Sequence, residues 1–371
     1  MKDKHYYPSF SVRLLQAMHL DQYLMLGIGL LILVGLVVLY SAGDQSMALL
    51  NRQFTRISLA LVVMLVVAQI PSSTLRFWSP WMYIVGVILL VLVLVMGDVG
   101  KGAQRWLDLG VLRFQPSEMM KLVTPMMIAW YFAEKPLPPS IRTLLTASAL
   151  ILIPTFLIAR QPDLGTSLLI FAAGFFVIFL GGMSSRLMLG LAALGAMLLP
   201  VLWHFMHDYQ RTRVMTLLDP QRDPLGAGYH IIQSQIAIGS GGVYGRGWLN
   251  GSQSHLNFLP EQSTDFIFAV FAEEFGLIGG MLLLVLYGFI IIRGLIIAAQ
   301  AQDTYARLLG GSLSLTFFVY LFVNVGMVSG ILPVVGVPLP LISYGGTSMV
   351  TLMAAFGMLM SINSHRRLWS K

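Results

Sequence analysis

The residues best suited to chemistry are a few ionisable side chains at the ends of long apolar segments. Asp265 ends the polar stretch FLPEQSTD, and Glu273 and Glu274 follow within the apolar stretch FIFAVFAEEFG. Carboxylates in apolar segments are costly to bury and are candidates for function. We interpret Asp265 as a general base, with a helix N-cap as the alternative. On a helix, Glu273 lies about 80° from Asp265 and Glu274 about 180° away, so at most Asp265 and Glu273 share a site.

A second group of charges, Glu118 and Lys121, lies three residues apart in the segment FQPSEMMKLV. This spacing places both side chains on one face of a helix. Pro116 suits the first position of that helix, so Glu118 lies near its positive end. A mutual ion pair that makes burial tolerable explains the two charges, and the pair could also line a polar cleft.

Arg160 and Asp163 bracket a short turn, RQPDLGTS. A local salt bridge explains them, and so does a cation for a phosphate beside a polar group for a sugar; the sequence leaves both open. The run GSGGVYGRG at 239–247 resembles a dinucleotide-binding glycine pattern. That pattern requires a preceding strand and a parallel sheet, so we interpret the run as tight turning near a membrane surface.

Metal chemistry has little support in the sequence. The chain has no cysteine, and His204, His207 and Asp208 are the one group with the spacing of metal ligands. Positions at a membrane interface explain these three residues equally well. We therefore expect no dedicated metal site.

The composition defines the class of protein. The chain has 371 residues, of which 57% are hydrophobic and 11% charged, whereas a soluble domain carries about 25% charged residues. So little charge excludes a soluble enzyme, a disordered chain and a nucleic-acid-binding protein. We predict an all-α polytopic membrane protein that forms a single integral-membrane domain over residues 1–371.

Apolar segments of spanning length predict about ten transmembrane helices. They are approximately 22–41, 57–75, 77–97, 117–133, 143–159, 164–185, 187–203, 275–292 and two helices within 308–364, separated by the Pro- and Gly-rich segment 330–346.

Charge asymmetry predicts the orientation. With the N-terminus inside, the inner segments carry 12 basic and 4 acidic residues, and the outer segments carry 11 basic and 12 acidic residues. This agrees with the positive-inside rule. We therefore expect both termini to be cytoplasmic, residues 1–21 to form a cytoplasmic N-terminal segment, and residues 207–264 to form a large extracytoplasmic loop between spans 7 and 8.

Six long motifs follow one another along the chain. They are KGAQRWLDLG at 101–110, RFQPSE at 113–118, QPDLGTS at 161–167, DPLGAGYHIIQSQIAIGSGG at 223–242, FLPEQSTDFIFAVFAEE at 258–274 and PVVGVPLPLISYGGTS at 333–348. Together and in this order they resemble the motifs of the SEDS family (shape, elongation, division and sporulation). The sequence of the first motif is more similar to the elongation members than to the division members.

The resemblance implies a peptidoglycan glycosyltransferase that polymerises lipid II on the outer face of the bacterial cytoplasmic (inner) membrane, for cell-wall elongation and rod shape. It also implies several partners. These are lipid II and undecaprenyl diphosphate-linked glycan, a class B penicillin-binding transpeptidase and other membrane proteins of the elongation complex. No nucleic acid is expected.

The family's essential carboxylate falls on Asp265, a second functional pair on Glu118 and Lys121, and a further polar position on Asp163. We expect Asp265 to take the proton of the attacking sugar hydroxyl. Lys121 and Arg160 are the expected cations for the departing diphosphate, with Glu118 orienting Lys121. No cofactor motif stands out, and a divalent cation is another way to stabilise the diphosphate.

A lipid II flippase is the main alternative, because interrupted helices such as the one at 334–346 are typical of transporters. Against it, no inverted repeat is visible and the acidic residues cluster on one side. A scaffold that recruits the transpeptidase is a third alternative; in a scaffold, Asp265 would tolerate substitution.

Overall fold

The computed structural model describes residues 20–100, 103–108, 113–206, 208–223, 226–251 and 261–364. Within these ranges the chain forms twelve α-helices. They are α1 (Gln22–Ala42), α2 (Met47–Ala68), α3 (Ser72–Met96), α4 (Pro116–Ala133), α5 (Ile141–Arg160), α6 (Leu164–Leu180), α7 (Ser185–Phe205), α8 (Asp208–Leu218), α9 (Ala227–Gly241), α10 (Ile267–Ala299), α11 (Thr304–Val328) and α12 (Thr347–Ser364).

The predicted class, an all-α polytopic membrane protein, is confirmed. Seven of the described helices are long and apolar enough to cross a membrane, and the apolar helices at Leu164–Leu180 and Ser185–Leu198 are shorter. A helix occupies each of the predicted spans. The total of ten spans stays a prediction, as do the loop boundaries. The N-terminal segment 1–21 lies almost wholly outside the described residues.

The predicted start of the second span was wrong. Helix α2 begins at Met47, where the hydroxyl of Ser46 accepts a hydrogen bond from the Leu49 N–H (3.4 Å). The charge-free segment begins only after Arg56. The sequence pattern therefore predicted a loop where the first turns of the helix, with Arg52 and Arg56, are found. The charge-free run 57–75 instead continues through the C-terminal end of α2 into α3.

A small antiparallel sheet, which the sequence did not predict, lies in the polar segment between α3 and α4. Its order is β1 (Asp98–Gly100), β2 (Ala103–Asp108) and β3 (Arg113–Phe114). Leu107 pairs with Phe114, and β2 packs against both flanking helices. The sheet thus fixes residues of the first motif at one end of the bundle.

Helix α10 is broken at Gly276, whose φ of 65° and ψ of −165° are not helical. The glycine-rich run packs against this break: the N–H groups of Leu277 and Ile278 donate to the carbonyls of Gly242 and Val243 (3.0 and 3.1 Å). A Cβ on Gly245 would lie 2.1 Å from the Glu274 carbonyl oxygen, so only glycine fits. The run ends α9 and turns tightly, as expected, and the element directly before it is a helix and not the strand that a dinucleotide-binding pattern requires.

Helices α11 and α12 form the centre of the bundle, since 72% of the most apolar window of each is buried, compared with 22% for α2. Apolar burial drives helices together only weakly in lipid, so small residues and polar contacts must hold the bundle. Ser312 of α11 donates to the Ala173 carbonyl (2.6 Å), and Tyr287 of α10 donates to the Pro340 carbonyl (2.6 Å).

Charged contacts join the helices at the end of the bundle that holds the start of α1. The buried Asp21 caps α1 by accepting from the Leu24 N–H (2.8 Å), and it also accepts from Arg293 Nε (3.1 Å) and Asn363 Nδ2 (3.1 Å). Arg76 forms an ion pair with Glu134 (2.6 Å). The charge asymmetry placed Asp21, Arg293, Arg76 and Glu134 on one side, in agreement with these contacts.

We expect Asp21→Ala to lower the free energy of unfolding by about 2 kcal/mol, of which about 1 kcal/mol is the lost cap. The remainder comes from the ion pair, which is worth less than a fully buried one because Arg293 is partly exposed. Thermal unfolding in detergent measures the change. Asp303→Ala is the control, because Asp303 lies at the start of α11 without a side-chain cap bond. An equal effect of the two changes would contradict the prediction.

Candidate active site

Asp265 lies in a turn immediately before α10 and is partly exposed. The helix begins at Ile267, and the residue at its N-cap position is Phe266, which makes no side-chain cap bond. The N-cap position, predicted as the alternative for Asp265, thus falls one residue later, on Phe266.

Donors from α11 and from the segment 330–346 that follows it hold the backbone around Asp265. Each of the three carbonyl groups from residue 263 to residue 265 accepts a hydrogen bond. The bonds run from Tyr344 N to Ser263 O (2.8 Å), from Ser343 Oγ to Thr264 O (2.6 Å) and from Asn324 Nδ2 to Asp265 O (2.9 Å). The position of Asp265 is consequently fixed by residues far away in sequence.

The segment 330–346 also contacts the carboxylate of Asp265. Gly336 has a φ of +73°, and a Cβ built on it would lie 3.4 Å from Asp265 Oδ2. The same segment meets the start of α6, where a Cβ on Gly165 would lie 2.8 Å from the Val335 carbonyl oxygen. Two predicted site regions, around Asp163 and around Asp265, therefore pack on one short segment.

Asp163 is buried at the start of α6, where its Oδ1 accepts from the Thr166 N–H (3.2 Å). Its ion-pair partner is Arg105 of β2, with 3.6 Å between Nε and Oδ2. The salt bridge with Arg160, one of the two interpretations, is not formed: the Arg160 guanidinium lies 5.0 Å from the centre of the Phe156 ring, and the side chain is exposed. Sequence reasoning missed Arg105 because a sheet places it there.

Glu118 and Lys121 form the predicted ion pair, with 2.7 Å between Oε1 and Nζ, and both residues are buried. Lys121 Nζ lies 5.2 Å from the centre of the Tyr320 ring. Tyr320 lies four residues before Asn324 on α11, hence on the same face and about 6 Å along the axis. One face of α11 thus carries contacts to both the ion pair and the Asp265 turn.

Glu273 and Glu274 are buried and bind the glycine-rich loop and α1. Glu274 accepts from the Leu249 N–H (3.2 Å) and from the Ser41 hydroxyl. Glu273 accepts from the Ser240 hydroxyl (3.3 Å). The expected angles around a helix do not apply, because Asp265 precedes the helix.

His230 of α9 is a further residue near Asp265 that sequence reasoning missed. Its ring lies parallel to that of Phe266, with the ring centres 5.4 Å apart. Burial lowers the pKa of His230 below the ordinary value of 6.5, against the opposing effect of Glu261 and Asp223. The imidazole is therefore neutral at neutral pH and can donate or accept a hydrogen bond. Among the described residues, no group of three or more acidic or histidine side chains could hold a metal ion.

Comparison with known proteins identifies the family of the chain. The profile of the FtsW/RodA/SpoVE family, described as cell cycle protein, matches residues 16–368. The chain belongs to this family. It is 55% identical to the peptidoglycan glycosyltransferase MrdB of Escherichia coli K12 over 354 residues, covering 95% of this chain and 96% of that protein. It is 31% identical to the peptidoglycan glycosyltransferase RodA of Treponema pallidum, covering 93% and 98%.

Solved structures agree with the family. A chain from a structure of a peptidoglycan synthase complex that coordinates polymerization and crosslinking superposes with a TM-score of 0.82 and 31% identity, covering 94% of this chain and 98% of that one. RodA of Thermus thermophilus superposes with a TM-score of 0.71 and 28% identity, covering 94% and 97%. The expected SEDS membership, in its rod-shape branch, is confirmed.

The contacts of Asn324 predict that this residue fixes the Asp265 turn. Asn324→Leu removes both donors of a buried amide, and a buried carbonyl without a donor costs about 1–3 kcal/mol. We expect amide hydrogen exchange in residues 261–270 to accelerate about 10-fold or more. The control Ser312→Ala removes one buried bond of the same helix, away from the turn. Unchanged exchange in Asn324→Leu would show that other contacts fix the turn.

The buried ion pair of Glu118 and Lys121 predicts a measurable coupling free energy in a double-mutant cycle. Lys121→Met leaves the Glu118 carboxylate buried without its counter-charge, which costs about 3–5 kcal/mol. We expect the double variant Glu118→Gln, Lys121→Met to recover most of that loss, because a neutral pair needs no compensation. Thermal unfolding of the single and double variants measures the coupling. Additive effects of the two changes would contradict a buried ion pair.

Proposed function

We propose that the chain is a peptidoglycan glycosyltransferase that polymerises lipid II into glycan strands for cell-wall elongation and rod shape. The observation that carries the proposal is the fixed position of Asp265, at a partly exposed turn whose backbone carbonyls accept three hydrogen bonds, in a chain that belongs to the FtsW/RodA/SpoVE family. The relatives named peptidoglycan glycosyltransferase match it over nearly their whole length.

In the proposed reaction, a sugar hydroxyl of the acceptor attacks the anomeric carbon of the donor. The new glycosidic bond forms as the bond to the undecaprenyl diphosphate breaks, with inversion. Asp265 takes the hydroxyl proton, and general-base assistance of this kind contributes about 10²–10⁴-fold. The bonding electrons of the broken bond leave on the diphosphate, which therefore needs positive charge beside it.

The charges around Asp265 differ in how well they can serve the diphosphate. Lys121 is buried against Glu118, so it acts on the electrostatics of the cleft rather than as a free cation. Arg105 is about one-third exposed and held by Asp163 and by the Pro162 carbonyl (2.8 Å). We therefore propose that Arg105 binds the diphosphate directly, in addition to the electrostatic effect of Lys121. The role of Arg160 stays a prediction, and a divalent cation would supply the same charge.

The proposed location is the bacterial inner membrane, with both termini cytoplasmic and Asp265 on the outer side. The positive charge of the inner segments supports this orientation. The proposed partner is a class B penicillin-binding transpeptidase, together with other membrane proteins of the elongation complex. The similarity to a chain of a peptidoglycan synthase complex supports a partner of this kind.

A lipid II flippase is not favoured. The interrupted segments that suggest a transporter have a local explanation, because other parts of the protein satisfy their backbone groups. The break in α10 bonds to the glycine-rich run, and the segment 330–346 bonds to Asn324 and to the Asp265 turn. The named relatives are glycosyltransferases.

We expect Asp265→Asn to lower the polymerisation of fluorescent lipid II by at least 10²-fold, because the amide cannot take the proton. The purified protein is assayed alone and with its transpeptidase partner, in the presence of moenomycin to inhibit contaminating polymerases. Asp44→Asn is the matched control, because Asp44 is an exposed carboxylate at the same end of the bundle, and its φ of 52° suits Asn.

Polymerisation by Asp265→Asn at the rate of Asp44→Asn would overturn the assignment of the base. Transfer of lipid II across liposomes by a protein that forms no polymer under any condition would instead favour the flippase.

A further inference from the structure

The side chain of His230, on α9, faces both ends of the turn at 261–266, and the mechanism above does not use it. Its ring lies against the ring of Phe266, which directly follows Asp265 and is buried. At the other end of the turn, the carboxylate of Glu261 acts on the charge of the imidazole. The Phe266 N–H donates to the Glu261 carbonyl (3.4 Å), so the two ends are themselves joined. His230 is therefore placed to support the segment that carries the proposed base.

The backbone of this turn has a conformation that requires support. Glu261 has a φ of 55°, in the left-handed region that residues with a Cβ seldom adopt. Within the turn, the Thr264 N–H and hydroxyl donate to the Glu261 carbonyl and carboxylate (3.0 and 2.8 Å). The donors described above hold the three carbonyls at 263–265. The ring of His230 supports the next residue, Phe266, at the point where the helix begins.

Helix α9 holds the ring of His230 in place. Ser234 lies one turn further along the same face of α9, and its hydroxyl donates to the Val328 carbonyl at the end of α11 (2.8 Å). At the other end of α9, a Cβ on Gly241 would lie 2.1 Å from the Ala272 carbonyl oxygen, so α9 and α10 are in close contact. The ring is consequently fixed relative to α10, which follows the turn, and to α11, which donates to it.

The charged groups that face His230 are both acidic. They are Glu261, from the turn, and Asp223, from the segment before α9. Among the described residues, the remaining titratable neighbour is Tyr229, whose ring centre lies 6.4 Å from that of His230, and the end of α11 carries no charge. The effect of burial exceeds that of the two carboxylates and keeps the imidazole neutral at neutral pH.

Protonation would change the contacts of this ring. Nδ1 of His230 is buried and has no hydrogen-bond partner among the described residues. A charged imidazole carries a proton on both nitrogens, so Nδ1 would become a buried donor without an acceptor. The carboxylates of Glu261 and Asp223 would at the same time attract the ring. Protonation therefore favours a ring position away from Phe266 and closer to the two carboxylates.

We propose that His230 positions Asp265: the neutral ring holds the Phe266 end of the turn, and protonation of the ring releases it. This inference rests on the proposed function, since it concerns the geometry of the proposed base. Because burial lowers the pKa of His230 below 6.5, the fold favours the neutral ring. That contribution is fully present above pH 6.5 and is lost as the pH falls through the lowered pKa. Polymerisation and the protection of the turn should therefore both decline on the acid side.

The first test is the pH profile of kcat for polymerisation of fluorescent lipid II, between about pH 5 and pH 8. We expect His230→Ala, which removes the ring, to lower kcat about 10-fold at neutral pH, because misplacement of a reacting group by about 1 Å costs up to about 100-fold. His230→Phe keeps an aromatic ring against Phe266 and should restore most of that loss. It should also shift the acid limb of the profile to lower pH, because it removes the titrating group.

The matched control for this profile is His204→Phe, which removes an exposed histidine at the end of α7 and should leave the acid limb in place. An acid limb at the wild-type pH in His230→Phe would overturn the proposal, as would equal kcat values in His230→Ala and His230→Phe. Thermal unfolding checks that each variant folds. If His230→Ala does not fold, the acid limb of His230→Phe decides alone, since a merely structural role does not depend on titration.

The second test does not depend on catalysis. Amide hydrogen exchange in residues 261–270 is measured in Asp265→Asn at about pH 7.5 and pH 5.5 and corrected for the intrinsic pH dependence of exchange. We expect protection to fall about 10-fold or more at the lower pH, and to stay constant in the double variant Asp265→Asn, His230→Phe. Constant protection with His230 in place would refute the inference even if Asp265 proves to be the base. A fall that requires His230, in a protein that forms no polymer, would show that His230 holds the turn although the proposed function fails.

Discussion

The need to satisfy backbone hydrogen-bonding groups inside an apolar bundle governs the architecture of this protein. Non-helical backbone at membrane depth is tolerated only where the protein itself supplies the missing partners. Two such segments, the turn at 261–266 and the segment 330–346, are joined by hydrogen bonds from Tyr344 N–H and the Ser343 hydroxyl to carbonyls of the turn. Asn324 bonds to both segments, through the carbonyls of Asp265 and Val337 (2.9 and 2.8 Å). The break at Gly276 is satisfied in the same way by the glycine-rich loop. The turn that carries the proposed general base, Asp265, is thereby held by hydrogen bonds although it is not helical.

Charge follows the same rule of local compensation. Glu118 with Lys121, Asp163 with Arg105, and Asp21 with Arg293 are each paired where at least one partner is buried. Pairing is required because an isolated buried charge costs several kcal/mol. Arg56 departs from this rule: it stacks on the Tyr344 ring and has no carboxylate within ion-pair distance among the described residues.

The parts of the site that sequence could predict are those that depend on short spacing or on motif wording. Glu118 and Lys121 are three residues apart, so helical geometry alone pairs them. Asp265 was recognised from its motif and from the change in polarity beside it. Asn324 and Arg105 could not be found in this way, because their partners lie 59 and 58 residues away. The start of α2 was missed for a different reason: Arg52 and Arg56 belong to the helix, whereas a charge-free window places both outside it.

The position of the site at the boundary of the bilayer bears on how a chain with so few polar residues can catalyse glycan transfer. Both substrates of the proposed reaction are tethered to lipids, so the membrane holds their sugars at one height before they meet the protein. A soluble transferase must restrict the translation of both substrates when it binds them, whereas tethering to the membrane has already removed much of that freedom. Positioning of this kind can contribute about 7–11 kcal/mol of the barrier. What remains for the protein is lateral alignment, a base and positive charge at the leaving group. In the proposed mechanism a turn braced by Asn324 carries the base and Arg105 supplies positive charge, so these tasks require no large soluble domain.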